Sequence, residues 1–134
     1  MLSCVAVACV FCHRLTDGDL LAENTLAAAF ADAFPLSSGH CLVVPRRHEP
    51  DFFALTTEEQ TAILALLGPL RSRIERENLP EGYNVGVNIG AAAGQTIAHA
   101  HVHLVPRYRG DVADPRGGVR WIIPAKAAYW DDAR

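Results

Sequence analysis

The stretch Gly94-Gln95-Thr96-Ile97-Ala98-His99-Ala100-His101-Val102-His103-Leu104-Val105-Pro106-Arg107 carries three of the chain's six histidines at alternate positions. Alternation is the mark of a strand, in which successive side chains point to opposite faces. Read so, Ile97 to Val105 is a strand closed by Pro106, with its three imidazoles on one side and neighbours about 6.6 Å apart. Ala98, Ala100, Val102 and Leu104 take the other side and face the core. Two chemistries could use such a row. Neutral imidazoles ligate zinc, or the rings divide a displacement reaction, one attacking while its neighbours hold or protonate the substrate. Three evenly spaced rings cover about 13 Å. They do not readily converge on one ion with bonds near ~2.1 Å, so the spacing favours divided labour.

Working outward, Tyr83 to Ile89 alternates as a second strand after Pro80-Glu81-Gly82, and the run from Gly90 to Gly94 is a flexible connection. Upstream, Thr56 and Glu59 stand at the spacing of a capping box. Ile63, Leu66, Leu67, Leu70 and Ile74 follow as one apolar helical stripe, a core or dimer face. Gly68-Pro69 interrupts it, and proline should kink or divide the helix there. His40 to Val44 reads as a buried strand ended by Pro45, preceded by a turn at Pro35 and Ser37-Ser38-Gly39. Leu20 to Glu23 and Leu26 to Ala31 form a hairpin about Asn24-Thr25. The N-terminal MLSCVAVACVFCHR lacks the basic start of a signal peptide and is expected to be the first strand. Strands, one long helix, then strands predict an α+β domain with an antiparallel sheet of about five strands.

A chain of 134 residues fits one domain, with a core over 8–107 and a C-terminal segment over 108–134. Its formal net charge of −3 argues against a general nucleic-acid binder, which needs a basic face. No run of about 18 apolar residues is present, so no membrane span is expected. Of the four cysteines, Cys9 and Cys12 make a C-x-x-C pair. In a chain expected in the cytoplasm this indicates metal or redox chemistry rather than a disulfide framework. The redox reading is the weaker, because the motif is not expected to open a helix. Cys4 and Cys41 read as buried thiols.

The segment 94–107 resembles the signature of the histidine triad (HIT) family. Agreeing in order and spacing are Cys9-Val10-Phe11-Cys12, Phe30-Ala31-Asp32, the run from Ser38 to Pro45 with His48, and Tyr83-Asn84-Val85-Gly86-Val87-Asn88. The resemblance implies a HIT-like fold and a nucleotide hydrolase. It would cleave at the α-phosphate of purine nucleoside 5′-phosphate derivatives, either dinucleoside polyphosphates such as diadenosine tetraphosphate or nucleoside phosphoramidates. Position by position, it makes His101 the nucleophile that forms a nucleotidyl-histidine, as a largely unprotonated imidazole can. His103 contacts the phosphate and helps move protons to the leaving group. Asn88 is the amide beside the nucleophile, Thr96 a hydroxyl toward the phosphate or leaving group, and His40 a neighbour that orients the triad. Asp32 accepts from the ribose hydroxyls, Val10, Phe11 and Phe30 line the base slot, and Gln95 joins the nucleotide-binding set.

The resemblance further implies a structural zinc site of the kind found in bacterial members, with Cys9, Cys12, His48 and His99 as ligands, and a homodimer with the long helix at its interface. Arg107, Arg109 and the run Asp114-Pro115-Arg116-Gly117-Gly118-Val119-Arg120 either grip the far phosphates of a polyphosphate or form a solvated tail. Trp121 and Trp130 pack that tail onto the domain or a partner subunit. A nucleotidyl transferase and a nucleotide-binding interaction protein with little turnover are the alternative readings.

Overall fold

The computed structural model describes residues 8–131. Asn24 makes the first turn: its Oδ1 accepts from the backbone N–H groups of Leu26 and Ala27 at 3.1 and 2.8 Å. Across it, Ala22–Glu23 (β1) pairs antiparallel with Ala27–Ala31 (β2), as the hairpin reading expects. Cys41–Pro45 (β3) returns antiparallel along β2, with Ala31 opposite Cys41. Gly39 makes this return possible. Its φ of +94° lies in the left-handed region, and a Cβ there would stand 3.2 Å from Pro106 and 3.3 Å from Ile74. Gly82–Val87 (β4) and Val102–Arg107 (β5) complete an antiparallel five-stranded sheet of order β1-β2-β3-β5-β4.

One face of the sheet is covered by the long helix, which the sequence divides in two. Thr56 Oγ1 accepts from Glu59 N–H, and Glu59 Oε1 accepts from Thr56 N–H, closing the capping box ahead of Thr57–Ala65 (α2). Leu67–Glu77 (α3) restarts two residues before Pro69. Proline then falls in a first turn, where its missing N–H leaves no intrahelical bond unmade. Ile63, Leu66, Leu70 and Ile74 pack on Ala29, Cys41, Val43, Val102 and Leu104, so the stripe is core. Fully burying a side chain such as Ile63 contributes roughly 1.5–3 kcal/mol.

The opposite face is closed by a short helix, Val10–Asp17 (α1), whose Phe11 and Cys12 sit on Phe30, Leu42 and Val44. This corrects the expectation of an N-terminal strand. Phe11 and Leu15, four apart, share the helix side that packs on the core. Residues 1–7, with Cys4, lie outside the described residues.

A second correction concerns the histidine stretch. Only Val102–Arg107 is strand, and residues 97–99 bend out of the sheet. Their partners come from the loop after β3 instead: Ala100 N–H donates to Glu49 O at 2.7 Å, and His99 Nε2 to Pro45 O at 2.8 Å. Ala98 is consequently exposed, while Ala100, Val102 and Leu104 are in the core as expected. Beyond β5, the chain forms a 3-10 turn over Gly118–Ile122, a short helix Pro124–Ala127 (α4) and a turn at Tyr129–Asp131. Among the described residues no helix is long and apolar enough to cross a membrane.

Candidate active site

The bend at residues 97–99 separates the three histidines into three environments. His99 is fully buried. Its Nε2 donates to the Pro45 carbonyl, which fixes the tautomer and leaves a lone pair on Nδ1. That nitrogen lies 3.6 Å from both Cys9 Sγ and Cys12 Sγ, and His48 Nδ1 lies 3.5 Å from Cys12 Sγ. All four ligand atoms fall within 4.8 Å of one another. A tetrahedral zinc with Zn–S about 2.3 Å and Zn–N about 2.05 Å sets sulfur and nitrogen about 3.6 Å apart. The cluster is therefore compatible with zinc. Arg47 helps hold the loop bearing His48, its guanidinium donating to Glu59 on α2.

The C-x-x-C pair does open a helix, contrary to expectation: Cys9 is the N-cap of α1 and Cys12 lies in its first turn. Both thiols nevertheless face imidazoles that suit a metal. Cys41 is buried, as expected, and burial pushes its thiol up to about 11.

His101 is 7% exposed and lies edge-on to Phe11, with ring centroids 5.0 Å apart. Its Nδ1 is 2.9 Å from the His99 carbonyl oxygen. A carbonyl only accepts, so Nδ1 carries the hydrogen and Nε2 the lone pair. Every fully buried side-chain nitrogen or oxygen among the described residues has a partner. Nε2 of His101 has none there, so it reaches solvent. A neutral imidazole held this way offers its lone pair to an electrophile outside.

His103 stands beside it on β5, ring centroids 5.1 Å apart. Its Nδ1 is 3.0 Å from Nε2 of His40. Leu36 N–H donates to Nδ1 of His40 at 3.0 Å. Because Nδ1 accepts, neutral His40 carries its hydrogen on Nε2 and donates it to His103, which must then carry its own on Nε2. Burial lowers the affinity of both rings for a second proton, although Asp32 opposes this. Asp32 Oδ1 accepts from Phe34 N–H at 2.8 Å, and its Oδ2 is 3.4 Å from His40 Nε2. Asp32, His40 and His103 are close enough to ligate an ion, but a metal at Nε2 of His40 would force a hydrogen onto Nδ1, against the Leu36 N–H. This trio suits a hydrogen-bond relay.

The remaining expected residues are placed as follows. Asn88 follows the Val87–Val102 pair at the end of β4 nearest His101. Thr96 is exposed immediately before the bent segment. Gln95 clasps its loop: Oε1 accepts from Gly90 N–H, and Nε2 donates to the Pro50 and Ile97 carbonyls. Phe11 and Phe30 pack at 5.4 Å, Phe30 wholly buried and Phe11 nearly so, while Val10 is exposed. Sequence reasoning missed Arg14, whose guanidinium lies 4.4 Å over the Phe30 ring and donates to Ala31 O. Its i+3 spacing from Phe11 was the available signal. Three of the tail arginines pair with a nearby carboxylate, Arg107 with Asp111, Arg109 with Glu81 and Arg116 with Asp114, while Arg120 donates to the Ala127 and Lys126 carbonyls.

A family model described as HIT domain matches residues 14–110. The chain belongs to the HIT family. This HIT protein is 37% identical over 105 residues to the adenosine 5′-monophosphoramidase hnt1 of Schizosaccharomyces pombe, covering 75% of each. It is 36% identical over 92 residues to the asymmetrical bis(5′-nucleosyl)-tetraphosphatase of Schizosaccharomyces pombe, covering 69% of this chain and 50% of that one. Among solved structures, a HIT family protein from Bacillus anthracis matches with a TM-score of 0.71 at 36% identity, over 77% of this chain and 75% of that one.

Proposed function

We propose that the protein hydrolyses purine nucleoside 5′-phosphate derivatives at the α-phosphorus through a nucleotidyl-histidine on His101. The observation that carries this is the tautomer: Nδ1 of His101 is bound to a carbonyl, and its unprotonated Nε2 is the one nitrogen turned to solvent. The names of the two yeast relatives, a phosphoramidase and a tetraphosphatase, support the substrate class.

In the first step Nε2 forms a bond to phosphorus, the bond to the leaving group breaks, and the departing atom keeps the pair and takes a proton from solvent. In the second, water attacks phosphorus, the P–N pair returns to Nε2, and the water's proton is released. The His99 carbonyl steadies the positive charge that the ring gains while bonded. The Nε2–H of His103 donates to the phosphoryl oxygens as negative charge builds. A neutral His103 is a hydrogen-bond donor here, and the relay from His40 keeps it so. Asn88 and Thr96 add polar contacts to the phosphate, Asp32 accepts from ribose, and Val10 with the edge of Phe11 holds the base, with the wholly buried Phe30 backing Phe11 rather than touching the base.

Zinc bound by Cys9, Cys12, His48 and His99 would fill a closed tetrahedral site, joining α1, the loop after β3 and the bent segment, with no open position for catalysis. The protein acts in the cytoplasm and as a homodimer; the dimer is supported by β4, which stands at the edge of the sheet with Val85 exposed. The test is a panel of adenosine 5′-phosphoramidate, diadenosine tetraphosphate and their guanosine counterparts, with products identified. Release of nucleoside monophosphate from at least one supports the proposal; no turnover of any contradicts it.

A further inference from the structure

Phe30 and Asp32 project from one face of the sheet at a period of two. The ladder runs one step past β2, because Asp32 N–H donates to His40 O at 3.1 Å. On this face the Phe11 ring lies 5.0 Å from that of His101 and 5.4 Å from that of Phe30. Arg14, one turn along α1 from Phe11, sets its guanidinium 4.4 Å over Phe30. Phe30 is wholly buried. A ligand group on this side of it therefore meets Phe11 and the Arg14 guanidinium, not the Phe30 ring.

Arg14 is held in place. Its Nη2 donates to the carbonyl of Ala31, the residue between Phe30 and Asp32, at 2.9 Å. Gly18 N–H donates to Arg14 O at 3.0 Å, and a Cβ on Gly18 would stand 2.6 Å from that oxygen and 3.1 Å from Arg14 Nε. Glycine is thus what lets the chain leave α1 so close to this side chain. A side chain fixed in advance gives up little entropy when a ligand binds.

Its donors are not used up. A guanidinium carries five N–H groups; Arg14 spends one on Ala31 and is only partly buried. Among the described residues no carboxylate pairs with it, unlike Arg107, Arg109 and Arg116. Phe11 stands between Arg14 and His101, so the fork serves the base end of a nucleotide whose ribose is at Asp32, not its α-phosphate. Guanine and hypoxanthine present two acceptors, O6 and N7, to such a fork. Adenine presents N7 beside an N6 amine, a donor facing a donor.

We propose that Arg14 reads the base, selecting a 6-oxopurine over adenine by donating two N–H groups to O6 and N7. The assignment rests on the nucleotide-site reading, with the base at Val10 and Phe11, and narrows its purine to guanine or hypoxanthine.

The test is equilibrium binding of GMP, IMP and AMP, measured by calorimetry so that no turnover is needed. GMP should bind roughly tenfold or more tighter than AMP, the scale of a two-bond base contact. IMP keeps O6 and N7 but lacks the 2-amino group, and should follow GMP. Two variants, each first shown to be folded by thermal melting, carry the assignment to the residue. Arg14→Leu keeps an apolar stem on Phe30 without the fork. Arg14→Gln offers one donor beside one acceptor, the pattern that suits adenine. In both, the preference should fall to one or below. Equal binding of GMP and AMP to the unaltered protein, IMP behaving as AMP does, no binding of any of the three, or a preference kept by either variant would each overturn the assignment. Guanine preference without hydrolysis of guanosine 5′-phosphoramidate would keep Arg14 as the base reader and remove the hydrolase. Hydrolysis without preference would do the reverse.

Discussion

Nε2 of His40 lies 3.0 Å from Nδ1 of His103, and the hydrogen between them belongs to His40 because Leu36 N–H occupies that ring's other nitrogen. His40 thus acts through His103, as a positioning residue. Replacing it with leucine removes the donor and frees His103 to switch tautomer. His40→Leu should lower kcat roughly tenfold, the scale of one hydrogen bond to a developing charge, with KM nearly unmoved. A rise in KM at constant kcat would show that His40 serves binding instead.

Burial is the main cause that holds His40 and His103 below the ordinary 6.5, with neighbouring histidines adding to it for His103 and Asp32 opposing it for both. The unfolded chain therefore takes up protons near 6.5 while the folded chain waits for lower pH. Between those two values the unfolded state binds more protons, so stability rises with pH through that window. It is fully present above about 6.5 and falls as pH drops below it. Melting temperatures measured from about pH 7.5 down to about 5 should decline over this interval, and less so in His40→Leu. An equal decline in the variant would place the titration elsewhere.

Asp32 uses Oδ1 for the Phe34 N–H and keeps Oδ2 beside the histidines. Asp32→Asn retains the first bond and removes the charge. Loss of a charged acceptor for ribose should raise KM roughly tenfold with little change in kcat. It should also shift the acid limb of activity to lower pH, because Asp32 is what raises both rings. Unchanged KM would take Asp32 out of the nucleotide site.

The sulfur–nitrogen distances of 3.5 to 3.6 Å about Cys9, Cys12, His48 and His99 match a tetrahedral ion. Metal analysis of the purified protein should give about one zinc per chain. Cys12→Ser should lose it together with thermal stability, since structural zinc contributes directly to folding. Protein equally stable with and without a chelator, and free of metal as isolated, would contradict the site.

Much of this was readable from the residues. The capping box at Thr56 and Glu59, the break at Pro69 and the turn before β3 are local signals whose physics needs no distant partner. The histidine stretch shows the limit. Alanine at 98 and 100 suits a strand or a bend equally, so the apolar alternation runs on past the point where pairing stops at Val102. What ends it is bonding to Pro45 and Glu49, about fifty residues away in sequence. The N-terminal run hid its helix because its buried side, Phe11, Cys12 and Leu15, is nearly as apolar as the rest. The arginines of the tail were grouped by sign, yet Arg107 and Asp111, four apart, already held the pairing that the structure shows.

Catalysis as proposed requires a covalent bond between His101 and phosphorus. The protein should be mixed with an adenosine 5′-phosphoramidate, quenched without acid within the first turnovers, digested and sequenced by mass spectrometry. A peptide bearing adenylate on His101, absent from His101→Ala, whose turnover should fall on the order of 10⁴-fold, is the predicted result. Adenylate on His103 or His40, or rapid turnover with no adduct on any histidine, would contradict it.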